Sequence, residues 1–119
     1  MKLKNADEVD KEKVKMDGVK GTYIQWLASK FDGAPNFAMR RFTMEPEGEI
    51  ALHDHPWEHE IYILKGEGVA FTDKERVVIR EGDVIFMPGN EPHGYRNTGK
   101  EELQFICMVP NEADKREEG

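Results

Sequence analysis

The chain is predicted to be all-β, an antiparallel sandwich or barrel. Two observations carry this. About nine short apolar runs recur at intervals of roughly ten residues, each bounded by Gly, Pro, Asn or Asp, and no stretch sustains a helical period. Several of the runs, among them residues 61–64, 84–87 and 105–109, are apolar on both faces. A sheet with one wet face alternates instead, so something covers the outer side, and a second copy of the chain is the simplest cover. A homodimer is the expectation.

Residues 1–18 are highly charged and are expected as a solvated segment with at most a short edge strand. The domain proper is expected over residues 19–110. Its first strand is Thr22 to Leu27, where polar and bulky residues alternate. Asp32 to Asn36 has turn chemistry. A second strand covers residues 37–44 and closes at Glu45-Pro46-Glu47-Gly48. A third runs from Ile50 to His55, and a fourth from His59 to Lys65. Gly66-Glu67-Gly68 reads as a tight hairpin into residues 69–72. Turns at Asp73-Lys74-Glu75 and Glu81-Gly82-Asp83 separate residues 76–80 from 84–87. A compact Pro-Gly-Asn loop precedes residues 93–97, and the last strand spans 103–109. The charged tail from 111 to 119 is expected to fray.

At 119 residues the chain is one domain in length, enough to bury roughly two thirds of its unfolded surface. A net charge of −7, with Lys and Arg scattered among acids, excludes a nucleic-acid surface. No apolar run approaches membrane-spanning length, and the N-terminus lacks a signal-peptide core. The single cysteine, Cys107, forbids an internal disulfide and points to a reducing, cytoplasmic setting.

Function is concentrated in His53-Asp54-His55-Pro56-Trp57-Glu58-His59-Glu60. Three of the four histidines lie in these eight residues, and the fourth is His93. On a strand, His53 and His55 leave the same face. Pro56 then breaks the ladder, and His59 heads the next apolar run. Converging imidazoles suit a transition metal.

Two segments resemble the paired motifs of the cupin superfamily. Gly48, His53, His55, then His59 or Glu60, then Gly66 follow the first. Gly82, Pro88, His93 and Asn97 keep every interval of the second, G-x5-P-x-G-x2-H-x3-N. Gly48 lies one residue closer to His53 than is usual, and Asn90 stands where the motif has glycine. Asn is the non-glycine residue best suited to a left-handed backbone, so the turn is expected to survive. At the third ligand an interval of three selects His59 and an interval of four selects Glu60; strand parity favours His59, on the face of Ile61 and Ile63. The stretch HPWEHEIYILKG is similar to small cupins that hold manganese with four histidines. The resemblance implies a jelly-roll barrel (a double-stranded β-helix) with His53, His55, His59 and His93 as ligands. It also implies a divalent cofactor, manganese first and iron second. Asn97 is expected as a hydrogen-bond anchor.

Four neutral imidazoles leave an ion's charge uncompensated and, in an octahedron, two positions open. The expected walls are Phe37, Met39, Trp57, Ile61, Phe86 and Phe105, which favour a small organic substrate over a sugar. Glu60, Tyr95 and Cys107 are candidates beside the metal. The leading expectation is an oxidoreductase of the dioxygenase kind. The alternatives are a non-redox isomerase or lyase, with Glu58, Glu60 or Tyr95 as base, and a ligand-binding cupin without turnover.

Overall fold

The computed structural model describes residues 1–117. Nine strands form one curled, wholly antiparallel sheet among the described residues: β1 (Glu12–Lys13), β2 (Val19–Ala28), β3 (Phe37–His53), β4 (His59–Lys65), β5 (Glu67–Thr72), β6 (Arg76–Arg80), β7 (Val84–Met87), β8 (His93–Asn97) and β9 (Leu103–Pro110). Their order is β6-β5-β8-β3-β9-β4-β7, with β2 joined to β3 and β1 to β2. This is the all-β antiparallel barrel that the strand spacing predicts, and its topology is the jelly roll that the motif resemblance implies.

The centre of the design is β3. Residues 37–44 pair with β9 on one side, and residues 49–53 pair with β8 on the same side, so one strand serves both walls of the barrel. Sequence reading separates it into two strands at Glu45-Pro46-Glu47-Gly48. The strand survives because β2 runs beside the whole bend, pairing Thr22 with Met44 and Val19 with Ile50. The corner is absorbed by Glu47 at φ 68° and by Gly48, where a Cβ would lie 2.6 Å from the Met44 side chain. The strand also stops at His53, so His55 sits in the following loop and not on the ladder.

A second correction concerns Gly66. β4 pairs with β7 and β9, whereas β5 pairs with β6 and β8, so Gly66 (φ 87°) turns the chain from one wall to the other and closes no hairpin. Inside the barrel, Ala38, Phe42, Met44, Ile61, Ile63, Leu103, Phe105 and Val109 are buried, with Phe42 stacked on Phe105 at 5.3 Å. Asn97 acts as the expected anchor: its amide donates to the carbonyls of Met44 (2.9 Å) and Glu101 (2.8 Å).

Both charged ends lie against the barrel. Gln25 donates to the carbonyls of Ala6 and Val9, each at 2.9 Å, and β1 adds to β2. The tail does not fray at its start. A 3₁₀ turn at Asn111–Ala113 leads to Asp114, which is buried, and Arg116 lies 3.9 Å over the Trp26 ring. The rest of that expectation, at residues 118 and 119, lies outside the described residues.

Candidate metal centre

The barrel's interior opens into a cavity of about 630 Å³, and all four histidines line it. His53 comes from the end of β3 and faces His93, its pairing partner at the start of β8, with ring centroids 4.4 Å apart. His55 reaches in from the loop, held by a 2.7 Å hydrogen bond from the Asn90 amide to its carbonyl. Asn90 has φ 67°, the left-handed backbone that the glycine position of the motif requires. Trp57 stacks on the His55 ring at 4.7 Å. His59 opens β4 with its ring inward and buried, beside Ile61 and Ile63 on one face. Glu60, one residue on, is exposed on the other.

Hydrogen bonding decides which nitrogen each ring presents. The Nδ1 atoms of His53, His55 and His93 lie 2.9, 2.9 and 2.7 Å from the carbonyl oxygens of Ala51, Trp57 and Glu91. A carbonyl can only accept, so each Nδ1 carries the proton and each Nε2 keeps its lone pair. His53, His55 and His93 each offer a ligand atom within 4.8 Å of the other two, and the Nε2 of His93 is buried with no protein partner. Metal-binding histidines are commonly fixed in this way, with one ring nitrogen donating to a backbone carbonyl and the other left free for the ion. The donor set fits a divalent ion.

His59 is held differently. Its Nε2 lies 2.6 Å from that of His55, and its Nδ1 lies 3.0 Å from the Cys107 sulfur and 3.4 Å from the Arg40 guanidinium. With the proton on Nδ1 and directed at Cys107, two lone pairs face each other across 2.6 Å, an arrangement that only a cation between them relieves. With Arg40 donating to Nδ1, the proton sits on Nε2 and bonds to His55. The Arg40–Cys107 pair therefore selects whether His59 can be a ligand.

Burial shifts these groups towards the forms a metal needs. It carries His59, with the Arg40 charge adding to the effect, down to about 2. It also takes His93 down to about 4 and lowers His55, so these rings are neutral at pH 7. The same burial raises the Cys107 thiol and the Tyr95 hydroxyl, so both keep their protons.

Of the expected wall, Trp57, Ile61 and Phe105 line the cavity, whereas Phe37, Met39 and Phe86 point out of the barrel. The period of two explains it: Ala38, Phe42 and Met44 are the buried alternation of β3, which leaves Phe37 and Met39 outside. Arg40 belongs to the buried alternation and was missed. An arginine at an inward register between Ala38 and Phe42 is the signal that could have found it. Tyr95 and Cys107 both line the cavity; Glu60 does not.

A curled antiparallel barrel with inward histidines at three strand ends is the layout of a cupin. Residues 40–109 match the family model described as Cupin domain, and the chain belongs to that family. The oxalate-binding protein of Thermotoga maritima is 40% identical over 70 residues, 58% of each chain. The 1-methylthio-D-xylulose 5-phosphate methylsulfurylase of Rhodospirillum rubrum is 35% identical over 77 residues, 65% of this chain and 49% of the relative. These matches span about half to three fifths of the curated relatives' lengths. Among solved structures, the polyketide cyclase RemF from Streptomyces resistomycificus superposes with a TM-score of 0.89 at 32% identity, covering 93% of this chain and 80% of that one. A predicted oxalate decarboxylase from Thermotoga maritima gives 0.81 at 33% identity, with coverage of 92% and 98%.

Proposed function

We propose that the chain is a metal-dependent oxidoreductase of the dioxygenase kind, acting on a small organic substrate at a manganese or iron(II) site. The ligands are His53, His55, His59 and His93. The observation that carries the reading is the buried, unpartnered Nε2 of His93, grouped with His53 and His55 inside an apolar-walled cavity. When bound, the ion supplies a Lewis-acid and redox centre with coordination positions left for small molecules.

The chain's own residues then have definite tasks. The three backbone carbonyls behind Nδ1 orient the imidazoles, and Trp57 stiffens His55 by stacking. Ile61, Trp57 and Phe105 exclude water from the substrate's side of the cavity. The isomerase or lyase alternative needs a general base, and the residues suited to that role are poorly placed. Glu58 and Glu60 are exposed outside, and the buried Tyr95 hydroxyl has a raised pKa that makes it a poor acceptor at pH 7. The binding-only alternative has support in a relative named for oxalate binding.

The test loads the protein anaerobically with manganese or iron and records its electron paramagnetic resonance spectrum. Oxygen or peroxide consumption is then followed with small enols and alkenes. Metal-dependent turnover that vanishes in His93→Ala supports the proposal. Equal turnover with zinc or magnesium rejects it in favour of the isomerase or lyase, and binding without turnover favours the binding module.

The proposal extends to a cytoplasmic homodimer, with residues 19–110 as the functional domain. Two cross-strand rows on the outer wall support the dimer. Met39, Met108, Glu60 and Phe86 form one, and Arg41, Ile106, Tyr62 and Val84 the other. Phe86, Val84, Tyr62 and Met39 are exposed there, a patch of the kind that protein interfaces cover.

A further inference from the structure

Arg40 carries a charge that nothing in the barrel answers. Its guanidinium lies 5.4 Å from the centre of the Trp26 ring and 4.9 Å from that of Phe42, so aromatic faces hold it in the cavity wall. Nη2 donates to the Cys107 sulfur at 3.0 Å, but that thiol is kept protonated by burial and is no counter-ion. Among the described residues Arg40 forms no ion pair, and its Nε is buried without a hydrogen-bond partner. The contrast with Arg116 at the cavity's mouth is direct, because that guanidinium is paired with Asp114 at 2.8 Å. A second polar group in the same cavity is also orphaned: the Tyr95 hydroxyl, on a residue only 4% exposed, has no partner. Unpaired buried donors are rare in native proteins, and a charged one more so.

The carboxylates that line the cavity do not neutralise Arg40. Glu12 and Asp17 line it but form no ion pair with Arg40 among the described residues, and Arg116 is answered by Asp114. A divalent ion on the histidines would add positive charge beside it.

We propose that Arg40 anchors the acid group of the ligand, so that the site takes a small organic carboxylate. The carboxylate lies against the free Nε–H edge of the guanidinium, and the apolar remainder lies against Phe105 and Trp57. Nε–H is the free donor, a carboxylate oxygen is its complement, and Tyr95 is placed to give a further hydrogen bond. The proposal rests on the reading that this cavity is the substrate site, but it needs no bound metal.

Benzoate and its neutral counterpart benzamide are the probes, titrated into the full chain stripped of metal by chelator. The chain's two tryptophans, Trp26 and Trp57, both line the cavity and report binding by fluorescence. Benzoate should bind about tenfold or more tighter than benzamide, the order expected of a charge-assisted hydrogen bond. The preference should collapse in Arg40→Gln and be partly kept in Arg40→Lys, which holds the charge but loses the planar donors. The Arg40 Nε–H proton resonance should move with benzoate and stay still with benzamide. Equal affinity for the two probes in the unsubstituted protein overturns the proposal whatever the variants do, and so does a preference that survives Arg40→Gln. Metal content, measured in parallel on unstripped samples, separates the two ideas: absent metal with an intact Arg40-dependent preference defeats the metal site and leaves the anchor standing.

Discussion

The inner and outer walls of β9-β4-β7 are made from the same strands and differ in almost everything else. Inward, His59, Ile61, Ile63, Phe105 and Cys107 are buried, and the charged group that meets them from β3, Arg40, has no counter-ion among the described residues. Outward, Tyr62, Val84 and Phe86 are exposed, and Glu60 stands among them in solvent. His59 and Glu60 are adjacent in the chain and both pair with β7, opposite Met87 and Phe86. Which one can meet a metal is decided by the pleat alone, because successive side chains on a strand leave opposite faces. The inner wall is therefore a place where a lost atom or a lost lone pair is felt. The outer wall is a place where the cost appears only if another molecule sits there.

Metal retention should break the symmetry most sharply. His93→Ala removes a lone pair with no substitute nearby, and metal content after dialysis should fall by at least about tenfold, as changes around metal sites commonly do. Glu60→Gln, on the opposite face, should leave metal content unchanged. Loss of metal in the Glu60 variant would put the carboxylate back among the ligands.

Packing should separate the walls next. Phe105→Ala empties the stack against Phe42 and should cost about 3–5 kcal/mol in denaturant unfolding. Phe86→Ala should cost below about 0.5 kcal/mol in a monomer, as surface changes do. A larger effect that grows with protein concentration would mean that a partner covers Phe86.

That leads to a test of association. A Phe86→Asp substitution places a charge in the outer patch, and sedimentation should report a shift from dimer to the 13.7 kDa species. Sedimentation of the unsubstituted chain as 13.7 kDa at micromolar concentration would leave the outer wall uncovered and end the dimer proposal.

A further difference between the walls is expected from pH. His93 and His59 are neutral in the fold, with pKa values lowered by burial to about 4 and about 2. The unfolded chain takes up their protons near 6.5, so it binds more protons than the native state below that value. The stability they contribute is complete above about 6.5 and is lost as pH falls below it, down to about 4 for His93 and on towards 2 for His59. The melting temperature of metal-free protein should drop across that window. A melting temperature that stays level between pH 7 and 4.5 would show these rings to be more accessible than their burial implies.

Much of this molecule could be read before folding, because its information is local. The alternation in residues 59–65 assigns His59 inward and Glu60 outward, and the resemblance to the paired motifs implies that His93 joins His53 and His55, as it does in the cavity. Asn90 stands at the motif's glycine position, where a left-handed turn is expected, and it has one. What sequence could not decide was which strands would be neighbours. A period of two names a face and never a partner, so the break at Glu45–Gly48 looked like a strand end until β2 was seen to span it. His55 was assigned to a strand and is held instead by a loop amide from Asn90, 35 residues later in the chain. The docking of the tail on Trp26 and the meeting of Arg40, His59 and Cys107 are likewise contacts across 19 to 90 residues of chain. An arginine in an apolar alternation reads as a surface residue until a barrel closes around it. Its unanswered charge exists only in the folded state, which sets the guanidinium beside Trp26, Phe42 and Cys107 and pairs it with no carboxylate of the described residues.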